Sequence, residues 1–364
     1  MDSSRHYKIA LVGPVPPPNG GMAMQTLQLQ RLLVEDGHSV RLIAVNPPYR
    51  PAWLGKLRGL RAVFRLWQFR RRLHQELEGR DLVHLMANSG WAWHLFAAPA
   101  IAVARRLGIP VVVNYRGGLA EPFLDKSSAR VIPQIQAAQA LVLPSPFLQQ
   151  VFANYGVRGR IVPNIIDGSL FYPDKRGESK NSKPDPHVVI TRNLETLYDI
   201  STGLRAFARL QQELPQARLT VAGSGPERDR LEKEAVRLGI AARTSFCGRL
   251  SHQDIAALYR DADLMLNPSR ADNMPNSLLE ALACGVPVVS TDVGGIPVMV
   301  EDGVSARLVA PGDHGGMARA MLGLCEDPQM YHRLRENGLH LSRQYLWPAV
   351  HQQWLAVYDS VVSS

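Results

Sequence analysis

LMLNPSRADNMPNSLLEALACGVPVVSTD, residues 264–292, reads as one strand-helix-strand unit and decides the fold. LMLNPS (264–269) is an apolar run of strand length, and RADNM (270–274) is a polar loop at its carboxyl end. Pro275 suits the first turn of a helix that runs to Cys284 and is closed by Gly285. PVVSTD (287–292) begins as a second apolar, β-branched run. Apolar strands joined by a helical crossover belong to a parallel sheet covered on both faces.

The same alternation extends in both directions from this unit. HVVITRN (187–193), ARLTVAG (217–223), TSFCGR (244–249) and ARLVAP (306–311) are further strands of the second half. KIALVG (8–13), VRLIAV (40–45), DLVHLM (81–86), PVVVNY (110–115), ALVLPS (140–145) and RIVPN (160–164) form a similar set in the first half. Between the sets, PDKRGESKNSKPDP (173–186) is polar, charged and proline-rich, as an interdomain linker is. The expected fold class is α/β: two tandem doubly wound, Rossmann-like parallel-sheet domains facing a cleft. The expected boundaries are 1–172, the linker 173–186, 187–345, and a last helix at 346–364 crossing back to the first domain. Ligands of such sheets bind beyond the carboxyl ends of the strands, so the functional residues are expected in the loops there.

Composition narrows the class further. A chain of 364 residues with 46% hydrophobic content can bury two cores of ordinary size. No spanning or secretory segment is read from the sequence, and a cytoplasmic location is expected. Cys247, Cys284 and Cys325 are widely separated and lack metal-ligand spacing, which favours reduced, packed thiols. The net charge of +9 attracts polyanions in general, yet no nucleic-acid-binding motif accompanies it. KLRGLRAVFRLWQFRRR (56–72), with Trp53 and Leu54 just before it, interleaves cations with aromatic and aliphatic residues. Two readings stand. Arg65, Arg70, Arg71 and Arg72 lie on a basic amphipathic helix that binds the anionic inner face of a membrane, or the apolar stripe faces the domain's own core.

The chemistry-bearing motifs sit where the sheets predict. GPVPPPNGG (13–21) follows the first strand, and Gly20 and Gly21 stand immediately before a helix, where unpaired N–H groups and close backbone approach favour an anion. A proline-rich turn is the plain alternative. The spacing is neither a dinucleotide-binding fingerprint nor a Walker A loop. In the second half Gly223-Ser224-Gly225-Pro226 repeats strand, small-residue turn and helix. Asp272 and Glu280 are eight positions apart and flank the helix start at Asn276, Ser277 and Leu278. Carboxylates repel phosphate but accept well from sugar hydroxyls. A diphosphate on the helix start with a sugar on either side, a nucleotide-sugar, fits that arrangement.

NPSRADNMPNSLLEALACGVPVVSTDVGGIPVMVEDG (267–303) resembles the signature of retaining nucleotide-sugar glycosyltransferases of the GT-B fold, glycosyltransferase family 4. GPVPPPNGG, VPNIID (162–167), the arginine after the first strand of the second domain and the Gly-Ser-Gly-Pro turn extend the resemblance over most of the chain. The resemblance implies that Glu280 binds ribose hydroxyls and Asp272 a hydroxyl of the donor sugar. It also implies that the main-chain N–H groups of Asn273 and Met274 bind sugar oxygens and those of Ser277 and Leu278 the phosphates, with Gly223 in the donor site. Arg192 then pairs with the diphosphate, helped by Gly21. Three departures stand out. Asp272 replaces the family's usual glutamate; Leu197 or Tyr198 stands where a lysine is usual; Arg116 stands where a histidine commonly follows the fourth strand.

The implied reaction transfers a sugar to a saccharide acceptor, lipid-linked if the basic helix meets a membrane, in glycan or polysaccharide assembly. The catalytic residues would be Asp272, Arg192 and Arg116, of which Arg116 can bind phosphate but is a poor general base. No resident cofactor and no metal are expected, because no metal-binding Asp-x-Asp or His cluster is placed in the cleft: the close pairs Asp261/Asp263 and Glu301/Asp302 read as surface or strand-edge residues. Departure of the diphosphate would be aided by charge stabilisation from Arg192 and backbone donors. The alternatives are a nucleotide-sugar epimerase and a nucleotide-sugar-binding protein weakened by the missing lysine.

Overall fold

The unit at 264–292 is one repeat of a six-stranded parallel sheet, and a second sheet of the same size stands in the other half of the chain. The computed structural model describes residues 6–17, 20–47, 60–174 and 185–363, with the side chains of 60–63 left aside. Two units result, one of residues 1–165 and 350–364, the other of 166–349. The boundary differs from the expected one because residues 166–172 belong with the second unit: the Ile166 amide donates to the Tyr345 carbonyl at 2.9 Å, and Phe171 is buried there. Within the expected linker, 175–184 lie outside the described residues, as do Pro18, Asn19, Trp53, Leu54 and 56–59.

The first unit runs β1 (Lys8–Gly13), α1 (Gly21–Glu35), β2 (Ser39–Ala44), α2 (Leu60–Leu77), β3 (Leu82–Ala87), α3 (Ala98–Arg106) and β4 (Val111–Tyr115). It continues with α4 (Ala120–Gln136), β5 (Ala140–Leu143), α5 (Pro146–Ala153) and β6 (Arg160–Ile161). Its strand order is β2-β1-β3-β4-β5-β6, so the order reverses between β1 and β3. β3 and β4 are buried along their whole length, which is why they lack polar alternation.

Helix α2 separates the two readings of the basic stretch. Its apolar stripe, Phe69, Leu73 and Leu77, is buried in the unit's own core, with Phe69 edge-on to Phe96 at 5.4 Å. The stripe is therefore not a free membrane-facing surface. What α2 leaves outside is Trp67, 56% exposed, together with Arg70 and the Arg71 guanidinium, which lies 5.7 Å from the Trp67 ring centre. Arg72 pairs with Glu76 at 3.1 Å, and Arg65 is half-buried.

The second unit runs β7 (His187–Ile190), α6 (Ile200–Glu213), β8 (Arg218–Ala222), α7 (Arg228–Arg237), β9 (Thr244–Gly248), α8 (His252–Asp261) and β10 (Leu264–Asn267). Then follow α9 (Asn276–Ala283), β11 (Val288–Thr291), β12 (Arg307–Val309), α10 (His314–Glu326) and α11 (Pro328–Ser342), and α12 (Trp347–Val362) starts in this unit and belongs to the first from Val350 on. The order β12-β11-β10-β7-β8-β9 makes β7 and β10 neighbours, with Val188 beside Leu264. The order reverses at this pair, and a crevice opens at the carboxyl ends of such strands. The Arg192 loop follows β7 and the Asp272 loop follows β10, so topology alone brings them together. Asp263 stands at the strand edge, directly before β10. It is buried and accepts from the His187 amide at 2.8 Å, tying the other end of the same two strands.

Residues 350–364 return to the first unit, where Trp354 and Tyr358 are buried. They close over His84, which is a fully buried residue of β3 and no cleft group. His84 Nδ1 meets the Tyr358 hydroxyl at 2.8 Å and Nε2 meets the Asn114 amide nitrogen at 2.9 Å. Burial, with the nearby Arg116 charge, pushes its pKa down to about 3, so the ring is neutral. His94 packs edge-on to Trp91 and Phe123, with centroids 6.3 and 5.8 Å away.

Candidate active site

The two loops at the β7/β10 switch point converge on one cation. Arg192, with only 9% of its side chain exposed, ion-pairs through Nη2 with Asp272 and donates through Nη1 to Ser277 Oγ at 3.1 Å. Its guanidinium carbon lies 4.2 Å from the centre of the Tyr198 ring. A desolvated stack of this kind is worth about 2 kcal/mol. Arg192 Nε is buried and has no partner among the described residues. A guanidinium clamped on three sides with one donor left over is prepared for a further acceptor.

Helix α9 supplies the second anion-binding element. Pro275 precedes it in extended conformation and no described side chain caps its start. The amide of Ser277 carries no hydrogen bond among the described residues, whereas that of Leu278 donates to the Pro275 carbonyl at 3.1 Å. The expected phosphate donor at Leu278 is therefore already engaged, and its side chain is fully buried in the core. Ser277 remains, with an open amide at the positive end of the helix. Met274 is a core side chain, so only its main chain can serve a ligand, and Asn273 is likewise buried.

Both carboxylates respond to this setting. Burial raises the pKa of Asp272, although the Arg192 charge and the Asn273 amide, 3.0 Å from Oδ1, oppose the rise. Glu280 stands one turn into α9, and its carboxylate has no hydrogen-bond partner among the described residues. Burial pushes its pKa up to about 7, with Arg192 again opposing. Arg192 thus neutralises Asp272 directly and Glu280 only in part.

Residues that the sequence reading did not single out hold these loops. Tyr259, fully buried on α8, donates to the Ser277 carbonyl at 3.0 Å and takes a hydrogen bond from Thr191, the neighbour of Arg192. Arg270 joins the loops from the other side, donating its amide to the Leu197 carbonyl and its Nε to Asp199, each at 2.9 Å. Gly294 and Gly295 lie against the carbonyls of Asp272 and Asn273, where a Cβ at either position would strike that oxygen, and the Gly295 amide donates to Asp272 at 3.0 Å. A paired glycine after a strand was the signal available for them.

Gly223 has a different task from the one expected. Its amide donates to the Gly248 carbonyl at 2.8 Å, and a Cβ there would collide with the Arg192 carbonyl. It lets the Arg192 loop pass and offers no N–H to a donor. Gly20 shows the opposite pattern: a Cβ there would meet no atom of the described residues within 4 Å, so none of these demands glycine at that position. Gly21 opens α1, whose start no described side chain caps either. Arg116, Gly20 and Gly21 belong to the first unit, and the cluster around Arg192 to the second.

Comparison with known proteins follows this division. Residues 19–170 match the family model described as Glycosyltransferase Family 4, and residues 172–340 the model described as Glycosyl transferases group 1. Each half of the chain is thus similar to a glycosyltransferase family, the first to family 4 and the second to group 1. The D-inositol 3-phosphate glycosyltransferases of Mycobacterium bovis and Mycobacterium tuberculosis are 30% identical to it over 306 residues. The match takes in 78% of this chain and 61% of theirs, so the chain spans less than two thirds of those relatives. Anabaena HepE, solved with UDP and glucose, superimposes with a TM-score of 0.74 at 22% identity, covering 98% of this chain and 100% of that one. Sucrose-phosphate synthase of Thermosynechococcus elongatus does so with 0.76 at 21% identity, covering 98% and 99%. At such identities the likeness is one of fold, and that fold is GT-B.

Of Leu197 and Tyr198, the two residues that the resemblance leaves for the usual lysine, Tyr198 is the one followed by a glycine-like backbone. Asp199 adopts the left-handed conformation, φ 43°, that glycine would supply, and its carboxylate accepts from Thr202 at 2.9 Å. Two expectations follow. Tyr198→Ala removes the stacking face and should weaken binding of UDP, used as a diphosphate probe, by about tenfold, while Tyr198→Phe stays within about twofold. Titration calorimetry reads the difference; equal losses in both variants would assign the effect to the hydroxyl. For Glu280, the unfolded chain loses its proton near the ordinary value of 4.5 and the native chain only near 7, so stability falls as pH rises between those values. Glu280→Gln should therefore raise the melting temperature relative to wild type at pH 8 but not at pH 4, and an equal gain at both would show that ionisation is not the cause.

Proposed function

We propose that the chain is a retaining glycosyltransferase that moves a sugar from a nucleotide-sugar to a saccharide acceptor. The observation that carries this reading is the buried Arg192, whose Nε–H has no partner among the described residues, set beside a start of α9 that no described side chain caps and between two carboxylates. Arg192 and the Ser277 amide would hold the diphosphate, Glu280 the ribose hydroxyls and Asp272 a hydroxyl of the transferred sugar. Bond breaking adds one negative charge to the diphosphate, which a preformed cation and helix N-terminus stabilise without reorganising. The acceptor hydroxyl bonds to the anomeric carbon on the face the diphosphate leaves, and its proton passes to the departing diphosphate oxygen. Neither carboxylate acts as nucleophile in this scheme: Asp272 is committed to Arg192 and sugar, Glu280 to ribose. Since Arg192 supplies the positive charge at the leaving group, the reaction is proposed to need no metal.

The names of the relatives guide the choice of substrates. UDP and UDP-glucose occur in HepE crystals, and a phosphorylated cyclitol names the mycobacterial enzymes. A set of UDP-, GDP- and ADP-sugars screened by thermal shift should raise the melting temperature for one base, because a ligand that binds only the folded chain stabilises it. Transfer assayed with that donor, with and without EDTA, should proceed in both, give the donor's own anomeric configuration, and collapse in Glu280→Ala with the fold intact. A new sugar formed without acceptor would instead identify an epimerase, and donor binding with no product from any acceptor a binding protein.

The acceptor is proposed to be lipid-linked, on a narrower footing than the sequence offered. The apolar stripe of α2 is spent in the core, so contact with an anionic membrane rests on Trp67, Arg70 and Arg71. Among the described residues no helix is long and apolar enough to cross a membrane. Two surface cations and an interfacial tryptophan add about 1 kcal/mol per cation. Arg70→Glu with Arg71→Glu should therefore release the chain from phosphatidylserine-containing liposomes in a flotation assay, and unchanged flotation would remove the membrane from the proposal.

A further inference from the structure

The first unit holds a buried guanidinium that faces only neutral groups. Arg116 follows β4, and its amide donates to the Ala87 carbonyl at 2.9 Å. Its Nε donates to Asn114 Oδ1 at 2.6 Å, Nη1 to Asn164 Oδ1, and Nη2 reaches the Val162 carbonyl at 3.4 Å. Among the described residues no carboxylate stands within ion-pair distance of it. The wider shell is neutral as well. The Asn114 amide nitrogen is turned to His84 Nε2, which leaves its oxygen for Arg116, and His84 in turn donates from Nδ1 to Tyr358. Burial pushes the Arg116 pKa down to about 9, which still leaves it charged at neutral pH.

An uncompensated buried charge is costly, and neutral amide oxygens offset only part of that cost. Had the group served only to tie β4 to residues 162–164, an uncharged donor would do so without the penalty. Arg116 also keeps part of its surface exposed, and open space adjoins Gly118 two residues on, where a Cβ would meet nothing within 4 Å. The site stands at the carboxyl edge of its sheet, where a doubly wound unit receives ligands. Three of the guanidinium nitrogens are oriented by fixed acceptors, so the fork is preorganised before any anion arrives.

We propose that Arg116, oriented by Asn114 and Asn164, binds a phosphate group of the substrate. The source of that phosphate rests on the proposed sugar transfer: the diphosphate of the donor or a phosphate carried by the acceptor.

Inorganic phosphate and UDP are the probes, used on the full chain. The Arg192→Gln variant removes the cation of the second unit, and phosphate should still raise its melting temperature. Adding Arg116→Gln should abolish that response, with far-UV circular dichroism confirming the fold. In calorimetry with UDP, Arg116→Gln alone should weaken binding about tenfold if the donor's diphosphate is held, as for loss of a charged hydrogen bond. Binding within about twofold of wild type, with the phosphate response gone, assigns the site to an acceptor phosphate. Phosphate response and UDP affinity both unchanged in Arg116→Gln would overturn the proposal. Should that variant misfold, hydrogen exchange on the wild type decides, since phosphate should slow exchange at 114–118 and 162–164, and no slowing there overturns the site. UDP failing to bind any form would count against the nucleotide-sugar reading, and the phosphate arm would still decide Arg116.

Discussion

The ion pair between Arg192 and Asp272 is the contact around which the second unit's crevice is arranged. It exists because the strand order reverses between β7 and β10, which makes the loops after those two strands neighbours although they are 80 residues apart. A charge pair with exposures of 9% and 14% survives only with exact hydrogen bonding around it. Ser277, the Asn273 amide and the Tyr198 ring provide this, and each comes from a backbone segment with its own anchor. Tyr259 fixes the start of α9, Arg270 fixes the loop of Tyr198 and Asp199, and the Gly294–Gly295 turn fixes the main chain of Asp272 and Asn273. The polar groups at the centre are therefore held by a further set of contacts behind them.

The architecture was legible in the sequence because parallel strands buried on both faces appear as short uninterrupted apolar runs, and helices at the period of 3.6. β3 and β4 are of this kind, and so is β10. The boundary after Ile165 was not legible, because residues 166–172 carry no compositional break and are assigned by contacts with Tyr345 and the core of the second unit. Periodicity showed that α2 has an apolar stripe, but which side of the chain's surface it meets is a tertiary fact. Phe69, Leu73 and Leu77 turn inward and leave Trp67 outside.

The site was legible in its charged members and much less so in its supports. Asp272, Glu280 and Arg192 announce themselves by charge inside apolar surroundings. Gly20 and Gly223 look alike in sequence, each in a turn between strand and helix, yet a Cβ would meet none of the described residues at the first and the Arg192 carbonyl at the second. Only the second is demanded by its described neighbours. Tyr259 reads as one more aromatic on an amphipathic helix, since its two partners, Thr191 and Ser277, lie 68 residues before it and 18 after it.

The two departures from the family pattern in this unit explain one another. A lysine at position 198 would place a second cation beside the crevice, and two cations could satisfy a diphosphate while a longer glutamate reached the sugar. With tyrosine there, the ring adds no charge but holds the guanidinium in place, and Arg192 is the cation that acts on both Asp272 and Glu280. Burial raises the pKa of both carboxylates, that of Glu280 to about 7, and the charge of Arg192 opposes the rise in each without cancelling it. Aspartate is the side chain that this geometry accepts, because its carboxylate meets Arg192 while its main chain stays pinned by Gly295. A glutamate would carry the charge one methylene further from the same anchor. The short acid and the aromatic substitute thus form one arrangement, in which the lost cation is offset by fixing the remaining one.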